Sequence, residues 1–252
     1  MIDTAAISKF GLLLVRPGLL VSTTPVFGGI HVPVPVRIAL GILLGLTIAP
    51  VVPSPQSAGT AGLVMMIAGE ALIGIALGLG VRILVGAAEL AGHLAGFQIG
   101  LSYAAVVDPQ SGVRNNVIAA LYANLAMVTF LGINGHHTVI RALAASYEAL
   151  PIGAAGVSGP LAPLVAHMLG LVFVTGTRLA APVVTALLLV EIVMGLVARA
   201  APSLNLLIVG TPLRLLAGML ALSAGIQVVP GVIAGATTPA LEAAVRLVRA
   251  FH

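Results

Sequence analysis

The chain has 252 residues, of which 60% are hydrophobic and only 7% carry a charge, and its mean hydropathy is +1.19. A soluble domain normally has about 25% charged residues, so this composition excludes an ordinary water-soluble enzyme or binding domain. Cysteine is absent, which excludes disulfides and cysteine-type metal sites, and the net charge of +4 comes from scattered arginines, so no basic patch predicts nucleic-acid binding.

Charged residues are so widely spaced that long apolar stretches separate them. Four such stretches contain no Asp, Glu, Lys or Arg, and they run between Arg37 and Glu70, Arg114 and Arg141, Glu148 and Arg178, and Arg214 and Glu242. Each can hold a membrane span of about 20 residues. Because no strand-like alternation runs through them, helices must satisfy the backbone in lipid. We predict an all-α, polytopic membrane protein with helices interrupted by proline and glycine.

The first hundred residues are predicted to form three helices. The first spans about residues 5–26 and is broken or kinked at Pro17. Because it has no cleavage pattern of small residues, we expect it to be retained. The second spans about residues 36–49. The third covers residues 60–99, which is longer than one bilayer crossing at about 1.5 Å per residue, so it must tilt, kink or project.

Small residues form a stripe at the end of the third helix. Ala88, Gly92, Gly96 and Gly100 are four residues apart, so they follow one helix face that has almost no side chain. Another helix can approach very closely along such a face. Any tight helix pair would use it, so the stripe by itself indicates no function.

The segment after the stripe is predicted to be an apolar break in the helical pattern. Pro109 lacks a backbone donor and disfavours the α conformation of Asp108, so a break is expected near Asp108. The residues that lead into it are largely apolar and include Leu101, Tyr103, Val106 and Val107. Irregular backbone between membrane helices must be buried in protein or line a cavity. We therefore predict a loop with an interior role.

Beyond the break, a helix is predicted over about residues 114–133 and, after a turn at residues 134–137, a short helix to Ala149. The sequence of residues 153–160 is small and flexible, and we take it as the boundary between two halves.

Three helical elements are predicted after this boundary. The first spans residues 161–200 with a kink at Pro182, and the second spans residues 206–228 with an interruption at residues 210–212. A short helix over residues 239–252 ends the chain.

Five ionisable residues lie within predicted spans, namely Glu70, Arg82, Glu89, Arg178 and Glu191. Each would cost roughly 2.5 to 3.5 kcal/mol if it faced lipid, so these side chains should face other helices or water. We expect burial in particular for Glu70, Arg82, Glu89 and Glu191. One interpretation is a proton or ion pathway. The other is pairing, for example of Arg82 with Glu89 seven residues along the same helix, or arginines that reach the interface.

The sequence predicts no catalytic, cofactor or metal site. The adjacent His136 and His137 would point about 100° apart on a helix, and no third ligand lies near them in sequence. No metalloprotease, nucleophile-elbow, phosphate-binding or dinucleotide-binding motif is present. We interpret the histidine pair as part of a polar turn.

Four blocks together resemble one family, and they occur in the family's order. The blocks are STTPVFGGIHVPVPVRIALG (22–41), GEALIGIALGLGVRILVGAAELAGHLAGFQIGLSYAAVVDP (69–109), INGHHTVIRALAASYEALPIG (133–153) and LAAPVVTALLLVEIVMGLVARAAPSLNLLIVGTPLRLLAG (179–218). They resemble the FliR family, export-gate membrane subunits of the bacterial flagellum with close relatives in injectisomes.

This resemblance implies a fold and partners. The family fold looks like a fusion of the FliP and FliQ folds with strongly tilted helices, which implies a FliP-like half over residues 1–153 and a FliQ-like half over residues 160–252. It implies a hetero-oligomeric helical assembly with FliP-like and FliQ-like subunits, contact with an FlhB-like subunit, and a place in the inner membrane and flagellar basal body, projecting to the periplasmic side.

The resemblance also implies a gate. The matching segment forms a plug loop in the family, so the implied gate residues are Gly100, Leu101, Ser102, Tyr103, Val106, Val107, Asp108 and Pro109. We expect a non-enzymatic subunit that builds and seals a channel for unfolded export substrates. The alternatives are the equivalent injectisome subunit and an ion-coupled secondary transporter that uses Glu70, Glu89 or Glu191.

Overall fold

A computed structural model describes residues 4–29, 32–50, 52, 60–101, 117–156, 159–202 and 206–251. Within these ranges the chain is helical and contains no strand, which confirms the predicted all-α class. The helices are α1 (Thr4–Thr23), α2 (Pro25–Gly28), α3 (Val34–Ile48), α4 (Thr60–Ile99), α5 (Val117–Gly132), α6 (Gly135–Ala149), α7 (Leu161–Ala200), α8 (Leu206–Ile226) and α9 (Val229–Arg249).

Four of the described helices are long and apolar enough to cross a membrane, namely α4, α7, α8 and α9. Helices α5 and α6 would supply a fifth crossing if they form one broken span, and they are bent by 69° at the break. The bend lies at Asn134, whose φ of 58° is in the left-handed region that asparagine tolerates better than most residues. The predicted polytopic membrane protein is therefore confirmed by helix length and composition.

Proline explains where the first helix ends. The predicted helix continued to residue 26, but α1 stops at Thr23 and Thr24 adopts an extended conformation with ψ of 120°. A residue before proline avoids the α region, and Thr24 precedes Pro25. Pro17, in contrast, lies inside α1, so it does not divide the helix.

Two sequence predictions about proline were wrong. The expected interruption at residues 210–212 is not found, because α8 continues through Pro212, which is near its start and costs the helix only one hydrogen bond. The last helix begins at Val229 and not at residue 239, with Pro239 inside it. Pro230 stands in the first turn of α9, where the missing N–H has no helical partner to lose.

The chain contacts divide into two compact units that are interleaved along the sequence. One comprises Met1–Ile83, Phe130–Gly170 and Thr237–His252, and the other Leu84–Thr129 and Leu171–Ala236. We call them the first and second unit. The predicted division into halves at residues 1–153 and 160–252, with folds like FliP and FliQ, stays a prediction.

The second unit has an apolar core that is built from small residues of α4 and larger residues of four other helices. Its buried members include Ala88, Ala91, Ala95, Ile99, Ile118, Tyr122, Ala126, Leu179, Val183, Leu187, Leu222, Val229 and Ile233. The alanines let neighbouring helices approach α4 closely, because they bury little side chain of their own.

Candidate gate region

Only the first two residues of the predicted gate loop, Gly100 and Leu101, are among the described residues. The others lie outside them, namely Ser102, Tyr103, Val106, Val107, Asp108 and Pro109, and so does the predicted break at Asp108. The structure does locate the end of α4, the start of α5 and the residues that pack on both.

Helix α4 ends in a conformation that favours glycine. Gly100 has a φ of 95°, which L side chains rarely adopt, and its N–H donates to the carbonyl oxygen of Phe97 at 3.1 Å. No atom lies within 4 Å of the place where a Cβ would stand, so the backbone conformation and not the available space requires glycine. Leu101, the next residue, is 52% exposed.

The small stripe on α4 lies partly against α5. Ala88, Gly92 and Gly96 are buried, and a methyl group on Gly92 would lie 2.6 Å from the nitrogen of Ala119 and 2.7 Å from the carbonyl oxygen of Ile118. The two backbones therefore meet without a side chain between them. Gly100, the fourth position of the stripe, has open space where a Cβ would project.

Both helices that border the predicted gate loop are anchored in the core of the second unit. Ile99, the last residue of α4, is 3% exposed, and Ile118, the second residue of α5, is 4% exposed. Gly218 of α8 lies against Ile99, since a methyl group on Gly218 would stand 2.7 Å from the Ile99 Cγ1 atom. The two described helices on either side of residues 102–116 are thus packed at Ile99 and at Ile118.

An open cleft of about 770 Å³ lies beside the end of α4. Its walls come from the end of α4, the second half of α7 and the start of α8, and they include Ile99, Gly100, Met194, Gly195, Gly210 and Arg214. Gly100 directly after α4, Gly195 of α7 and Gly210 of α8 have no side chains that could fill this space. The cleft is largely apolar apart from one ion pair.

That ion pair joins α7 to α8. An Arg214 Nη2 donates to Glu191 Oε1 at 2.8 Å, and the Gln98 amide of α4 donates to the same oxygen at 3.3 Å. The side chains of Arg214 and Glu191 are 41% and 37% exposed, so Glu191 is half-buried rather than buried as predicted. The three polar groups connect three helices at the cleft, next to the start of the predicted loop.

Glu70 belongs to a buried polar cluster in the first unit. The guanidinium of Arg16 on α1 binds both carboxylate oxygens of Glu70 on α4, with Nε to Oε2 at 2.7 Å and Nη2 to Oε1 at 3.0 Å. Both side chains are 0% exposed. The backbone N–H of Gly153 also donates to Glu70 Oε1, at 3.2 Å. The predicted burial of Glu70 is therefore observed within the chain.

Helix α6 completes this cluster. Arg16 Nη1 donates to Ser146 Oγ at 2.9 Å, and Arg16 Nη2 donates to the carbonyl oxygen of Leu150 at 3.1 Å. The ring of Tyr147 lies 4.0 Å from the Arg16 guanidinium carbon, and its hydroxyl donates to the Leu13 carbonyl oxygen at 3.1 Å. Such complete pairing is what a buried charge needs, so the cluster fixes α1, α4 and α6 together.

Sequence reasoning missed Arg16 as the partner of Glu70. A signal was present, because Arg16 stands in an apolar run where an unpaired charge would be as costly as at Glu70. Pairing across 54 residues of sequence, however, can be recognised only when the helices are placed in space.

The chain by itself does not bury the other predicted ionisable residues. Arg82, Glu89 and Arg178 are exposed, and no ion pair joins Arg82 to Glu89 in the described chain. Their predicted burial is thus not found in the single chain, and burial by a partner stays a prediction.

The histidine pair forms no metal site with its neighbours. His136 and His137 are in the first turn of α6 with ring centroids 4.2 Å apart, after the turn at Asn134. No group of three or more His, Cys, Asp or Glu side chains that could hold a metal occurs in the part of the chain that the structure describes.

Two of the helices that could span a membrane, α7 and α8, expose large apolar faces. Only 17% of the apolar window is buried within the chain in α7 and in α8, whereas 67% is buried in α4. Exposed residues include Leu189, Ile192 and Leu196 of α7 and Ile208, Leu216 and Leu220 of α8. Lipid or other polypeptides must cover these faces, because exposed apolar surface of this extent is unfavourable in water.

Comparison with known proteins identifies the family. Residues 7–239 match the family model of bacterial export proteins, family 1. The chain is 35% identical over 226 residues to the flagellar biosynthetic protein FliR of Pectobacterium carotovorum, covering 89% of this chain and 86% of that protein.

Two further relatives carry the same name. The FliR protein of Escherichia coli K12 is 34% identical over 207 residues, covering 82% of this chain and 79% of its own length. That of Bacillus subtilis 168 is 31% identical over 210 residues, covering 82% and 81%. The family model covers every residue named above in the polar cluster and in the cleft, and with these relatives it shows that the chain belongs to the FliR family of bacterial export proteins.

Proposed function

We propose that this protein is a non-enzymatic subunit of the flagellar export gate, which builds and seals an inner-membrane channel for unfolded export substrates. The observation that carries the proposal is the combination of a family match over residues 7–239 with the outward apolar faces of α7 and α8. A subunit of a larger membrane assembly needs such faces, because its neighbours supply the burial that its own chain does not.

The partners that fit this role are FliP-like and FliQ-like subunits in a helical assembly, an FlhB-like subunit, unfolded substrates and membrane lipid. We place the assembly in the bacterial basal body, with part of it on the periplasmic side. The relatives are named flagellar proteins, which favours the flagellum over an injectisome.

The gate assignment rests on the loop that follows Gly100. The two described helices that flank residues 102–116 are held at Ile99 and Ile118, so the segment between them would start and end at fixed positions. Its first part contains the apolar residues Tyr103, Val106 and Val107. An apolar constriction excludes ions by dewetting and needs no charge for this. The open cleft at Gly100 offers space beside the start of the loop for another chain or for a moving loop.

A secondary transporter is less well supported. Ion coupling requires a carboxylate that can exchange its ion, but the Glu70 carboxylate is fully buried and is bound by Arg16 and by the Gly153 N–H. Glu70 therefore has a structural environment, and we assign it no ion-coupling role.

The gate assignment is tested by removing the first part of the predicted plug loop. Deletion of residues 102–107 should raise the permeability of the membrane to ions while the complex still assembles. A second variant, in which these six residues are replaced by glycine and serine, keeps the length of the segment and should leak as well. Glu242→Ala, at an exposed charged position of α9, serves as the control. If both loop variants assemble and leak no more than this control, the gate assignment is wrong.

A further inference from the structure

Tyr122 of α5 places a hydroxyl group in the apolar core of the second unit. It is 0% exposed, and its hydroxyl oxygen has no hydrogen-bond partner among the described residues. A buried hydroxyl without a partner destabilises the folded chain, whereas phenylalanine would fill nearly the same volume without this cost. The hydroxyl therefore calls for a partner.

The hydroxyl is directed toward the meeting point of α7 and α8. A methyl group on Gly225 of α8 would stand 3.2 Å from the Tyr122 hydroxyl oxygen and 3.2 Å from Val183 Cγ2 of α7. The Cβ atom of Pro182 would be 3.9 Å away from the same point. The absence of a side chain at Gly225 thus lets the backbone of α8 come close to the hydroxyl, next to the part of α7 that contains Pro182.

Prolines leave one backbone carbonyl group of α7 and one of α8 without the usual helical donor. Pro182 has no N–H, so the carbonyl of Arg178 loses its usual donor one turn earlier in α7. Helix α8 ends at Ile226, and Pro230 cannot donate to the Ile226 carbonyl as a continued helix would. Both carbonyl oxygens are therefore available as acceptors, but the helix backbone fixes their positions.

We propose that Tyr122 binds a buried water molecule, which accepts a hydrogen bond from the hydroxyl and donates one to the carbonyl oxygen of Arg178 or of Ile226. A buried water normally makes two to four hydrogen bonds and occupies a polar spot in a core, and a bridging water is nearly as favourable as a direct bond. This water would connect α5, at the far border of residues 102–116, to the α7–α8 pair. The proposal rests on packing and does not depend on the gate.

The first test is Tyr122→Phe in the full chain, purified with its native assembly partners. If the water is bound, the variant loses a hydrogen bond and its Tm falls by about 2 to 4 °C, as expected for about 1 kcal/mol in a chain of this size. If the hydroxyl is truly without a partner, its removal leaves the Tm unchanged or raises it, and the proposal is overturned. Tyr147→Phe is the matched control, because the Tyr147 hydroxyl donates directly to a carbonyl and its loss should lower the Tm.

The second test is a high-resolution map of the wild-type assembly. Solvent density about 2.5 to 3.0 Å from the Tyr122 hydroxyl oxygen supports the proposal. A map that shows other buried waters but none at this position overturns it, whatever the Tm of the variant. The map also decides the matter if Tyr122→Phe fails to assemble.

Discussion

Arg16 and Glu70 are joined by two hydrogen bonds of 2.7 and 3.0 Å, and neither side chain is reached by solvent. The two residues are 54 positions apart in sequence and belong to α1 and α4. Both oxygens of the carboxylate and most N–H groups of the guanidinium make hydrogen bonds. The pair therefore stabilises the contact between its helices and is not available to bind an ion. It also ties the short helix α6 to α1 through Ser146.

Removing one member of this pair should be severe. Glu70→Ala leaves a buried guanidinium uncompensated, and we expect it to cost about 3 to 5 kcal/mol, enough to reduce the amount of folded subunit in membranes. The measurement is the Tm and the yield of the assembled complex. The control is Glu242→Ala, whose pair with Arg246 is exposed, and this variant should behave like wild type.

The double variant Arg16→Met with Glu70→Leu should be more stable than Glu70→Ala. It replaces the ion pair by apolar side chains of similar volume, and such replacements of buried pairs are often neutral or stabilising. We expect it to recover most of the Tm lost in Glu70→Ala. If the double variant is no more stable than Glu70→Ala, the destabilisation does not come from the uncompensated charge.

A methyl group added at Gly92 should weaken the packing of α4 against α5. Gly92→Ala places that group against the backbone of Ala119, which cannot move aside as a flexible side chain could, so we expect a loss of a few kcal/mol. Gly86→Ala in the same helix has open space and should be neutral or stabilising by up to about 1 kcal/mol. Thermal stability of the two purified variants, measured side by side, tests the difference. Equal stability would contradict a backbone contact at Gly92.

Gly100→Ala should act through conformation alone. The site has room for a methyl group, but the φ of 95° is unfavourable for alanine, so we expect a cost of about 1 to 2 kcal/mol or a displaced start of the loop. The control is Gly132→Ala, which has room and no positive φ. Ion leakage through assembled complexes is the measurement, and a leak in Gly100→Ala but not in the control would support the gate. Identical behaviour of the two would contradict the required positive φ.

The half-exposed pair of Glu191 and Arg214 should contribute little by itself. Solvent screening limits such pairs to about 1 kcal/mol or less, so a double-mutant cycle with Glu191→Gln and Arg214→Gln should give a small coupling energy in the purified chain. The same cycle measured in the complete assembly should give a larger coupling if partners bury the cleft. A large coupling in the isolated chain would show that the pair is more buried than the structure has it.

Much of the fold could be predicted from the sequence, because lipid solubility restricts the choice. Once composition placed the chain in a membrane, helices were the remaining solution for apolar stretches, and the predicted spans at 60–99 and 161–200 agree with α4 and α7. Proline was the weaker guide. Pro25 ended a helix, but Pro212 and Pro239 did not, since one missing hydrogen bond near a helix start or in a packed helix can be tolerated.

Composition, the spacing of apolar residues and the small stripe on α4 determined by themselves that this is a helical membrane protein with tightly approaching helices. Only the tertiary structure decided that Glu70 binds Arg16, that Gly92 faces Ala119, and that Arg82 and Glu89 are left uncovered by their own chain. The reason is physical: the cost of a charge or a bare backbone in lipid depends on residue type, which sequence shows. The partner that removes the cost comes from distant helices, and their contact exists only after the chain has folded.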